Sequence, residues 1–337
     1  MDQTGAIVVV CCTDANYVRP LAAMVRSLLV NKNPASPVAL HIFDGGVPED
    51  DKARLAKSWP SGGLEIRWLT PDPAALSGLP LWGVWPPIAY SRIRMAEALP
   101  ECLHKAIWLD SEMIVRRDIA ELWSTPMGDY PTLAVQDLVV PCVSSRYGLS
   151  RYRELGLAAD AKYFNAGVMV ANLDWWRENH VARKVLEYLR ESPETVCLLD
   201  QDGLNAVLSG HWRELDPRWN QIASVAGRPF LKVKHLEAAQ YRQVVEDPWI
   251  VHYAGFRKPW VYHNRNPSRA LYFRYLDMTA WAGWRPRPTP RSLLWGLYES
   301  KLRNFLYAAE HWRMRLLRWL TRRVIAKSKA HSQPPTI

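Results

Sequence analysis

The sequence has few cysteines and no long apolar run, and these absences exclude several classes of protein. Its five cysteines form no Cys-x-x-Cys pair and no regular spacing. An odd number of cysteines in a chain of 337 residues is typical of a reducing compartment rather than of a disulfide scaffold. No segment approaches the roughly 20 consecutive apolar residues of a membrane-spanning helix. We therefore expect a cytoplasmic protein without a transmembrane span.

The amino terminus also lacks the pattern of a secretory signal. The stretch MDQTGAIVVVCC has no basic start, and its apolar run is short for a signal sequence, so it predicts a first buried strand. No internal repeat of about 20 to 50 residues is apparent. With 48% hydrophobic residues, the chain contains enough apolar material for the substantial core of one large or two ordinary domains.

The excess of positive charge is confined to the carboxyl-terminal tail. The net charge is +10, yet residues 285–337 contain 12 Lys and Arg against 2 Asp and Glu, which leaves 31 residues of each sign upstream. A neutral body argues against nucleic-acid binding by the main domain, because a protein that follows a phosphate backbone needs a basic surface. We expect no nucleic-acid partner.

Strand and helix patterns alternate along the chain, which predicts an α/β fold. The predicted segments are strands at 6–12, 38–43 and 64–69, helices near 17–30, 49–57 and 89–99, a strand ending at Asp110, further elements at 118–123 and 131–137, and a strand at 166–171. Next, Asn172 or Asp174 caps a helix that continues through about Leu189. LLDQDGLNAVLSG predicts another helix that opens on acids, and 248–260 predicts a short strand followed by a turn.

Two acidic side chains, Asp110 and Glu112, interrupt the apolar segment AIWLDSEMIV. Side chains two apart leave a strand on the same face, so these carboxylates would repel each other unless protons, arginines or a cation neutralised them. The residues leave three interpretations open: a divalent metal ion, neutralisation by Arg116 and Arg117, or a pair that merely borders a turn.

The pair also shares an edge of the predicted sheet with a second polar segment. Asp14 and Asn16 follow the end of the first strand, and Asp110 and Glu112 follow the end of another. Sheets of this type bind ligands beyond the carboxyl ends of their strands. We therefore expect these four residues to line one cleft.

Five segments in this order resemble family 8 of the retaining glycosyltransferases, a group that includes bacterial lipopolysaccharide galactosyl- and glucosyltransferases and glycogenin. They are CCTDANYVRPL, AYSRIRM, IWLDSEMIV, YFNAGVMVANLDWWRE with LLDQDGLNAV, and VHYAGFRKPW, and together they cover roughly residues 6–262. The resemblance implies a nucleotide-sugar-binding domain of the GT-A type, with a central mixed sheet flanked by helices. It also implies a Mn²⁺ or Mg²⁺ cofactor and a UDP-hexose donor.

The resemblance assigns the metal ion to Asp110, Glu112 and His252. The imidazole nitrogen favours Mn²⁺ over Mg²⁺ as a preference of degree. Outside this motif, a core histidine bonded to a backbone carbonyl would be the better interpretation of His252. Glu112 departs from the family pattern, which usually has a second aspartate here, and its extra methylene changes the reach of the carboxylate. Ala15 likewise replaces a polar residue common in the first loop.

The resemblance also implies a set of contacts with the nucleotide-sugar. The residues implied are Asp14, Asn16, Arg92, Asp110, Ser111, Asp137, Asn165, Asp200, Gln201, Gly255 and Lys258. Gly255 lets the backbone approach the pyrophosphate, and Lys258 supplies a compact positive charge to it. Clustered amide and carboxylate groups suit the vicinal hydroxyls of a hexose.

Each of these residues also has a purely structural interpretation. Asp14 and Asn16 could form an Asx turn or cap, and Arg92 could be a solvated arginine on a helix face. Lys258 could be an ordinary surface lysine. Asp200, together with Asp202, could simply be an acid favoured at a helix amino terminus.

The catalytic group implied by the resemblance consists of Gln201, Asp200 and Lys258. Gln201 holds the position where a nucleophile is expected, and an amide is a poor nucleophile. We therefore hypothesise front-face attack, in which the leaving phosphate helps to deprotonate the acceptor hydroxyl while the metal and Lys258 stabilise the departing UDP.

The sequence of the carboxyl-terminal tail predicts a separate function, association with a membrane. Residues 1–284 form the predicted glycosyltransferase domain, the Pro-rich 285–290 a stiff linker, and 291–337 a basic amphipathic tail. Its apolar stripe comprises Tyr298, Leu302, Phe305, Ala309, Trp312, Leu316 and Trp319, and its arginines, mostly off that stripe, are Arg303, Arg313, Arg315, Arg318 and Arg322. Such a helix could lie on an anionic membrane or pack back onto the body.

These observations support two functional hypotheses. The first is a hexosyltransferase, peripheral on the inner face of the cell membrane, that glycosylates a lipopolysaccharide or other cell-surface glycan precursor, such as a lipid-linked glycan. The second, suggested by Glu112, is a catalytically weakened module of the same fold that binds nucleotide-sugar or membrane.

Overall fold

The structure, a computed structural model, describes residues 5–59, 62–72, 74, 76–81, 86–226, 233, 235–255, 258–262, 266–290 and 292. The chain divides into two units, Met1–Trp260 with Asn264–Arg285, and Val261–His263 with Pro286–Ile337. The predicted amphipathic stripe at 298–319 lies outside the described residues, and the predicted boundaries at 284 and 290 stay predictions. None of the described helices is long and apolar enough to cross a membrane.

The described elements alternate between strands and helices for most of the chain. The strands are β1 (Ile7–Thr13), β2 (Val38–Asp44), β3 (Leu64–Leu69), β4 (Lys105–Leu109), β5 (Met113–Val115), β6 (Thr132–Gln136), β7 (Phe164–Asn172), β8 (Trp212–Glu214), β9 (Gln221–Ile222) and β10 (Ile250–His252). The α-helices are α1 (Val18–Asn31), α2 (Glu49–Ser58), α3 (Met95–Ala98), α4 (Ile119–Trp123), α5 (Leu173–Glu178), α6 (Val181–Glu191), α7 (Asp200–Leu208), α8 (Ala223–Ala226), α9 (Ala238–Glu246) and α10 (Arg269–Leu276). Short 3₁₀ helices cover Pro87–Arg94, Pro193–Thr195 and Pro217–Asn220.

Two sheets organise these strands. The larger has seven strands in the order β3-β2-β1-β4-β7-β6-β8, and the smaller has the order β5-β10-β9. The larger sheet is mixed, because β1 to β4 run parallel while β7 is antiparallel to both β4 and β6. In the smaller sheet β10 lies between an antiparallel β5 and a parallel β9. The prediction of a mixed sheet flanked by helices is confirmed.

The central strand β1 is apolar at almost every position because both faces of the sheet are covered. Ile7 and Val9 pack into one core with α1, whereas Val8 and Val10 pack into a second core on the opposite face. Helix α1 is buried on almost all sides, because nearly every residue from Val18 to Leu28 is buried. The parallel pairing of β1 with β4 places the carboxyl ends of the two strands side by side.

Three local expectations need correction. Asp110 and Glu112 are not strand residues, because β4 ends at Leu109 and β5 begins at Met113. The helix expected to run through Leu189 is broken at His180, whose φ of 51° is left-handed, so α5 and α6 are separate helices.

The third correction and one open alternative concern the starts of helices. The segment near 89–99 is a 3₁₀ helix up to Arg94 and becomes α-helical only at Met95. Asn172, rather than Asp174, caps α5, since its side chain accepts a hydrogen bond from the Trp175 backbone N–H at 3.0 Å.

Candidate active site

Asp110 and Glu112 lie in a turn that connects the two sheets. The Asp110 backbone N–H donates to the Gly167 carbonyl of β7 at 2.9 Å, and the Glu112 carbonyl accepts from the Tyr253 N–H at 2.9 Å. One acid is thus anchored to the seven-stranded sheet and the other to the three-stranded sheet. The turn, and not alternation along a strand, brings both carboxylates to one place.

His252 reaches the same turn from the end of β10. Its Nε2 atom lies 3.5 Å from Oδ2 of Asp110 and 3.7 Å from Oε1 of Glu112. The residue is only 2% exposed. The structure therefore brings together the three residues that the sequence suggested as metal ligands.

A buried guanidinium, that of Arg92, connects this turn with α7. Its Nη2 atom lies 2.8 Å from Oδ1 of Asp110, and its Nε atom lies 2.6 Å from Oδ2 of Asp200. Burial opposes the positive charge, but the carboxylates of Asp110 and Asp200 raise the pKa of Arg92 above its ordinary value. Trp108 completes the contact, because its indole N–H donates to Asp110 at 3.0 Å. Arg92 is buried rather than a solvated arginine on a helix face.

Asp200 begins α7 and is itself buried. Burial raises the pKa of its carboxyl to about 6, although the nearby guanidinium lowers it. The preceding residue, Leu199, has a φ of 53°, which costs a residue with a side chain about 1 to 3 kcal/mol. The carboxylate of Asp202 supports this bend by accepting the Cys197 backbone N–H at 2.6 Å. Asp202 thus has a structural role, whereas Asp200 faces the site.

Lys258 closes the opposite side of the acidic turn. Its ammonium is ion-paired with the Glu112 carboxylate and donates to the Tyr253 carbonyl at 3.0 Å. Burial and the negative charge of Glu112 raise the pKa of Tyr17, whose ring lies 5.9 Å from the same ammonium. Gly255 precedes this lysine with a φ of 79°, a conformation that favours glycine. The lysine is therefore a partner of a site carboxylate and not an ordinary surface residue.

Asp137, Asn165 and Gln201 form one hydrogen-bonded group. Oδ2 of Asp137 accepts from Nδ2 of Asn165 at 2.8 Å and from Nε2 of Gln201 at 3.2 Å. Oδ1 of Asp137 accepts two backbone N–H groups of its own loop, at 2.7 and 2.9 Å. The Gln201 carbonyl oxygen in turn accepts the Ala166 N–H at 3.0 Å. These three residues, which the sequence suggested as contacts of the sugar, hold one another in fixed orientations.

The first loop lies at the same edge of the sheet. Oδ1 of Asp14 accepts the backbone N–H groups of Asn16 at 2.9 Å and Tyr17 at 3.1 Å, which is an Asx turn. The side chain of Asn16 is exposed. The Ser111 hydroxyl donates to the Cys12 carbonyl, which ties the acidic turn to the end of β1. Asp14 therefore forms the Asx turn of its structural interpretation, and any role in nucleotide binding would be additional to this turn.

The donor set fits a divalent cation. No three His, Cys, Asp or Glu side chains within the described ranges already form a metal cage. Instead, Arg92 and Lys258 are paired with the two carboxylates. Nε2 of His252 is nevertheless buried without a hydrogen-bond partner among the described residues, and it faces two carboxylate oxygens at distances too long for hydrogen bonds. An unpaired imidazole nitrogen beside two carboxylates is a suitable ligand group for Mn²⁺ or Mg²⁺.

Sequence reasoning missed several residues of this site. Tyr17 was missed although it lies inside the first motif, because a tyrosine carries no spacing signal of its own. Asn220 was also missed; it contacts His252 through a 2.9 Å hydrogen bond that crosses 32 residues of sequence. Arg116 was considered as the partner of the acidic pair, but its guanidinium donates to the Pro248 carbonyl at 3.1 Å, and Arg92 takes that role.

Comparisons with known proteins agree with this architecture. Residues 8–264 match the sequence profile of Glycosyl transferase family 8. General stress protein A of Bacillus subtilis is 33% identical, over 81% of this chain and 94% of its own length. The lipopolysaccharide 1,2-glucosyltransferase of Escherichia coli K12 is 24% identical, over 81% of this chain and 78% of its own length. The crystal structure of the galactosyltransferase LgtC with donor and acceptor sugar analogues superimposes with a TM-score of 0.70 at 24% identity, covering 81% of this chain and 96% of that one.

Proposed function

The chain belongs to glycosyl transferase family 8, and we propose that it transfers glucose or galactose from a UDP-sugar to a glycan acceptor with retention of the anomeric configuration. The observation that carries this proposal is the convergence of His252, Asp110 and Glu112 beside two cationic side chains. A UDP-sugar has a diphosphate whose leaving oxygen gains negative charge as the glycosidic bond breaks. Fixed positive groups at that oxygen are the chief requirement of the reaction.

Asp110, Glu112 and His252 would hold Mn²⁺, or Mg²⁺ as the weaker fit. When bound, the cation would supply positive charge to the diphosphate and stabilise the departing UDP. Lys258 adds a second charge, since its ammonium already reaches Glu112 and can donate to a phosphate oxygen instead. Arg92 orients Asp110 by pairing with one of its oxygens.

The hexose would bind against Asp137, Asn165, Asp200 and Gln201. Both ends of the Gln201 amide are hydrogen-bonded, which holds this poor nucleophile in place rather than activating it. We therefore propose front-face attack, in which the acceptor oxygen bonds to the anomeric carbon while the bond between that carbon and the phosphate oxygen breaks. The acceptor proton passes to the departing phosphate oxygen. Trapping of a covalent glycosyl group on a side chain would contradict this mechanism.

The acceptor we propose is a lipopolysaccharide or other cell-surface glycan precursor, carried on a lipid at the cytoplasmic face of the membrane. A relative named for lipopolysaccharide glucosylation supports the glycan. The arginine-rich sequence of the tail supports an anionic membrane surface as a partner. The protein would then be cytoplasmic and peripheral to the inner face.

A second candidate function is the same fold with weakened catalysis, acting as a nucleotide-sugar or membrane-binding module. The ion pair between Glu112 and Lys258 favours it, because a longer carboxylate neutralised by an ammonium is a poorer metal ligand. Turnover distinguishes the two candidates. Release of UDP from UDP-glucose or UDP-galactose in the presence of Mn²⁺ supports the enzyme, and ligand binding without release supports the module.

The direct test is a thermal-shift titration with UDP, with and without Mn²⁺. We expect stabilisation by UDP that depends on Mn²⁺ and that is abolished in Asp110→Ala. The matched control is Asp50→Ala, which removes an exposed carboxylate of α2 and should leave the shift intact. Equal shifts by UDP with and without the ion would contradict the metal-dependent function.

A further inference from the structure

We propose that Asn220 is a positioning residue that selects the tautomer of His252, so that the Nε2 lone pair faces Asp110 and Glu112. This inference rests on the proposed role of His252 as a metal ligand. It concerns a residue outside the five sequence motifs. Hydrogen bonds connect Asp137, Asn165, Asn220 and His252 in series, and the orientation of each residue determines the donor of the next bond.

This series of hydrogen bonds begins with groups whose hydrogen-bonding roles are unambiguous. Asp137 accepts two backbone N–H groups through one oxygen, and its other oxygen accepts from Asn165. The Gly167 backbone N–H, which can only donate, lies 3.0 Å from the other end of the Asn165 amide. The amide of Asn165 must therefore point its NH₂ group toward Asp137 and its oxygen toward Gly167. No choice of amide rotamer is left at this residue.

The orientation of Asn165 determines that of Asn220. Nδ2 of Asn220 donates to the Asn165 oxygen at 2.8 Å, so the amide oxygen of Asn220 faces the other way. That oxygen lies 2.9 Å from Nδ1 of His252. An amide oxygen can only accept, which requires the proton of a neutral His252 on Nδ1. Nε2 is then left with its lone pair.

Burial makes this arrangement rigid. Asp137, Asn165, Asn220 and His252 are all between 1% and 7% exposed, so water does not readily substitute for a lost partner. The opposite tautomer would place the unprotonated Nδ1 against an amide oxygen, two acceptors 2.9 Å apart in a buried site. Two buried acceptors that face each other without a proton between them disfavour that tautomer.

Gly167 provides the space for the ring. A Cβ atom at this position would stand 2.5 Å from Cε1 and 2.9 Å from Nδ1 of His252, closer than atoms can approach. It would also lie 3.0 Å from Oδ1 of Asn165. The glycine of the FNAG segment is thus required by the imidazole and by the amide chain, and not by its own backbone conformation.

The first test measures the tautomer directly in the metal-free, full-length wild-type protein. Histidine-selective ¹⁵N labelling and long-range proton–nitrogen spectra report which ring nitrogen carries the proton, and the signals that disappear in His252→Gln assign this ring among the nine histidines. At a pH where the ring is neutral, we expect a protonated Nδ1 and an unprotonated Nε2. A protonated Nε2, or an even mixture of tautomers, would overturn the inference without any variant.

The second test measures Mn²⁺ affinity at saturating UDP, from the electron paramagnetic resonance signal of free Mn²⁺. We expect Asn220→Leu to weaken affinity by about 10- to 100-fold, the usual cost of losing the partner that orients a ligating histidine. The matched control is Asn31→Leu, which removes a partly buried amide bonded to Val115 and Tyr275 at the end of α1. It should change thermal stability without changing Mn²⁺ affinity.

Gly167→Ala gives an independent variant of the same contact. We expect a comparable loss of Mn²⁺ affinity. The control is Gly203→Ala, because a Cβ atom at position 203 would press on the Val185 side chain at 2.7 Å, away from the histidine. Equal Mn²⁺ affinity of Asn220→Leu and wild type would overturn the inference and leave the metal site standing. Failure of the wild type to bind Mn²⁺ would overturn the proposed metal site and the inference with it.

Discussion

The Lys258 ammonium and the Glu112 carboxylate form an ion pair with both side chains largely buried, at 13% and 14% exposure. One member is a proposed metal ligand and the other a proposed diphosphate contact. Under the proposed function, the metal ion and Lys258 would compete for the same carboxylate until a diphosphate drew the ammonium away. This competition would make metal binding and diphosphate binding interdependent.

We expect Lys258→Met to change metal and donor binding in opposite directions. A charge-assisted hydrogen bond is worth about 1.5 to 3 kcal/mol, so its removal should raise Mn²⁺ affinity in the absence of UDP by about tenfold or more. The KM for the UDP-sugar should rise by a similar factor, because a phosphate contact is lost. Calorimetric titration with Mn²⁺ and initial-rate kinetics measure the two effects. The control is Lys162→Met, which removes a 54% exposed partner of Glu214. An unchanged Mn²⁺ affinity in Lys258→Met would contradict the prediction.

Replacement of Arg92 should destabilise the fold strongly. Arg92→Leu leaves the carboxylates of Asp110 and Asp200 without their shared cation, and removal of one partner from a buried ion pair costs about 3 to 5 kcal/mol. Urea unfolding followed by fluorescence measures the change. Adding Asp200→Asn should recover part of the loss, whereas Arg67→Leu, at a pair about half exposed, should cost less than about 1 kcal/mol. A loss in Arg92→Leu as small as that of the control would refute the buried bridge.

The stability of the metal-free protein should depend on pH through Asp200. Its pKa in the folded protein is about 6, above its ordinary value, so the folded state binds this proton more tightly than the unfolded chain. The contribution to stability is fully present below about pH 4 and is lost as the pH rises to about 6. A shift of about two pKa units corresponds to ~3 kcal/mol.

Asp200→Asn should remove that dependence. The difference in unfolding free energy between wild type and Asp200→Asn should therefore change by ~3 kcal/mol between pH 4 and 7, with the wild type losing relative stability as the pH rises. Subtraction of the two curves cancels the histidines, which titrate in the same range. Parallel curves would show that the carboxyl has an ordinary pKa in the folded protein.

The tail should bind anionic vesicles through its arginines. Each basic residue near such a surface contributes about 1 kcal/mol, so Arg313, Arg315 and Arg318 together contribute ~3 kcal/mol at low salt. Replacing all three with Gln in the full-length chain should weaken binding to phosphatidylglycerol vesicles by about 100-fold. Deletion of 286–337 should abolish it, and neutral phosphatidylcholine vesicles are the control. Unchanged binding after the deletion would show that the tail is not the membrane anchor.

Residue types and their order along the chain were enough to predict the fold class and much of the site. The strands at Ile7–Thr13 and Val38–Asp44 follow the predicted ones closely, because buried strands require continuous apolar runs. The edge strand Leu64–Leu69 also follows its prediction, although it is only partly buried. Family membership followed from five ordered motifs. The local error at His180 arose because a left-handed residue interrupted a helical pattern that was otherwise continuous.

The sequence by itself therefore determined the α/β architecture through apolar periodicity. It named the acids, the histidine and the lysine of the site through the resemblance of its ordered motifs to a known family. Only the tertiary structure decided which atoms meet. Arg92 rather than Arg116 neutralises Asp110, Lys258 is paired with Glu112, and Asn220 orients His252. Local patterns reflect neighbours two to four residues apart, whereas these contacts join residues separated by 18, 146 and 32 positions, which come together only through the packing of two sheets.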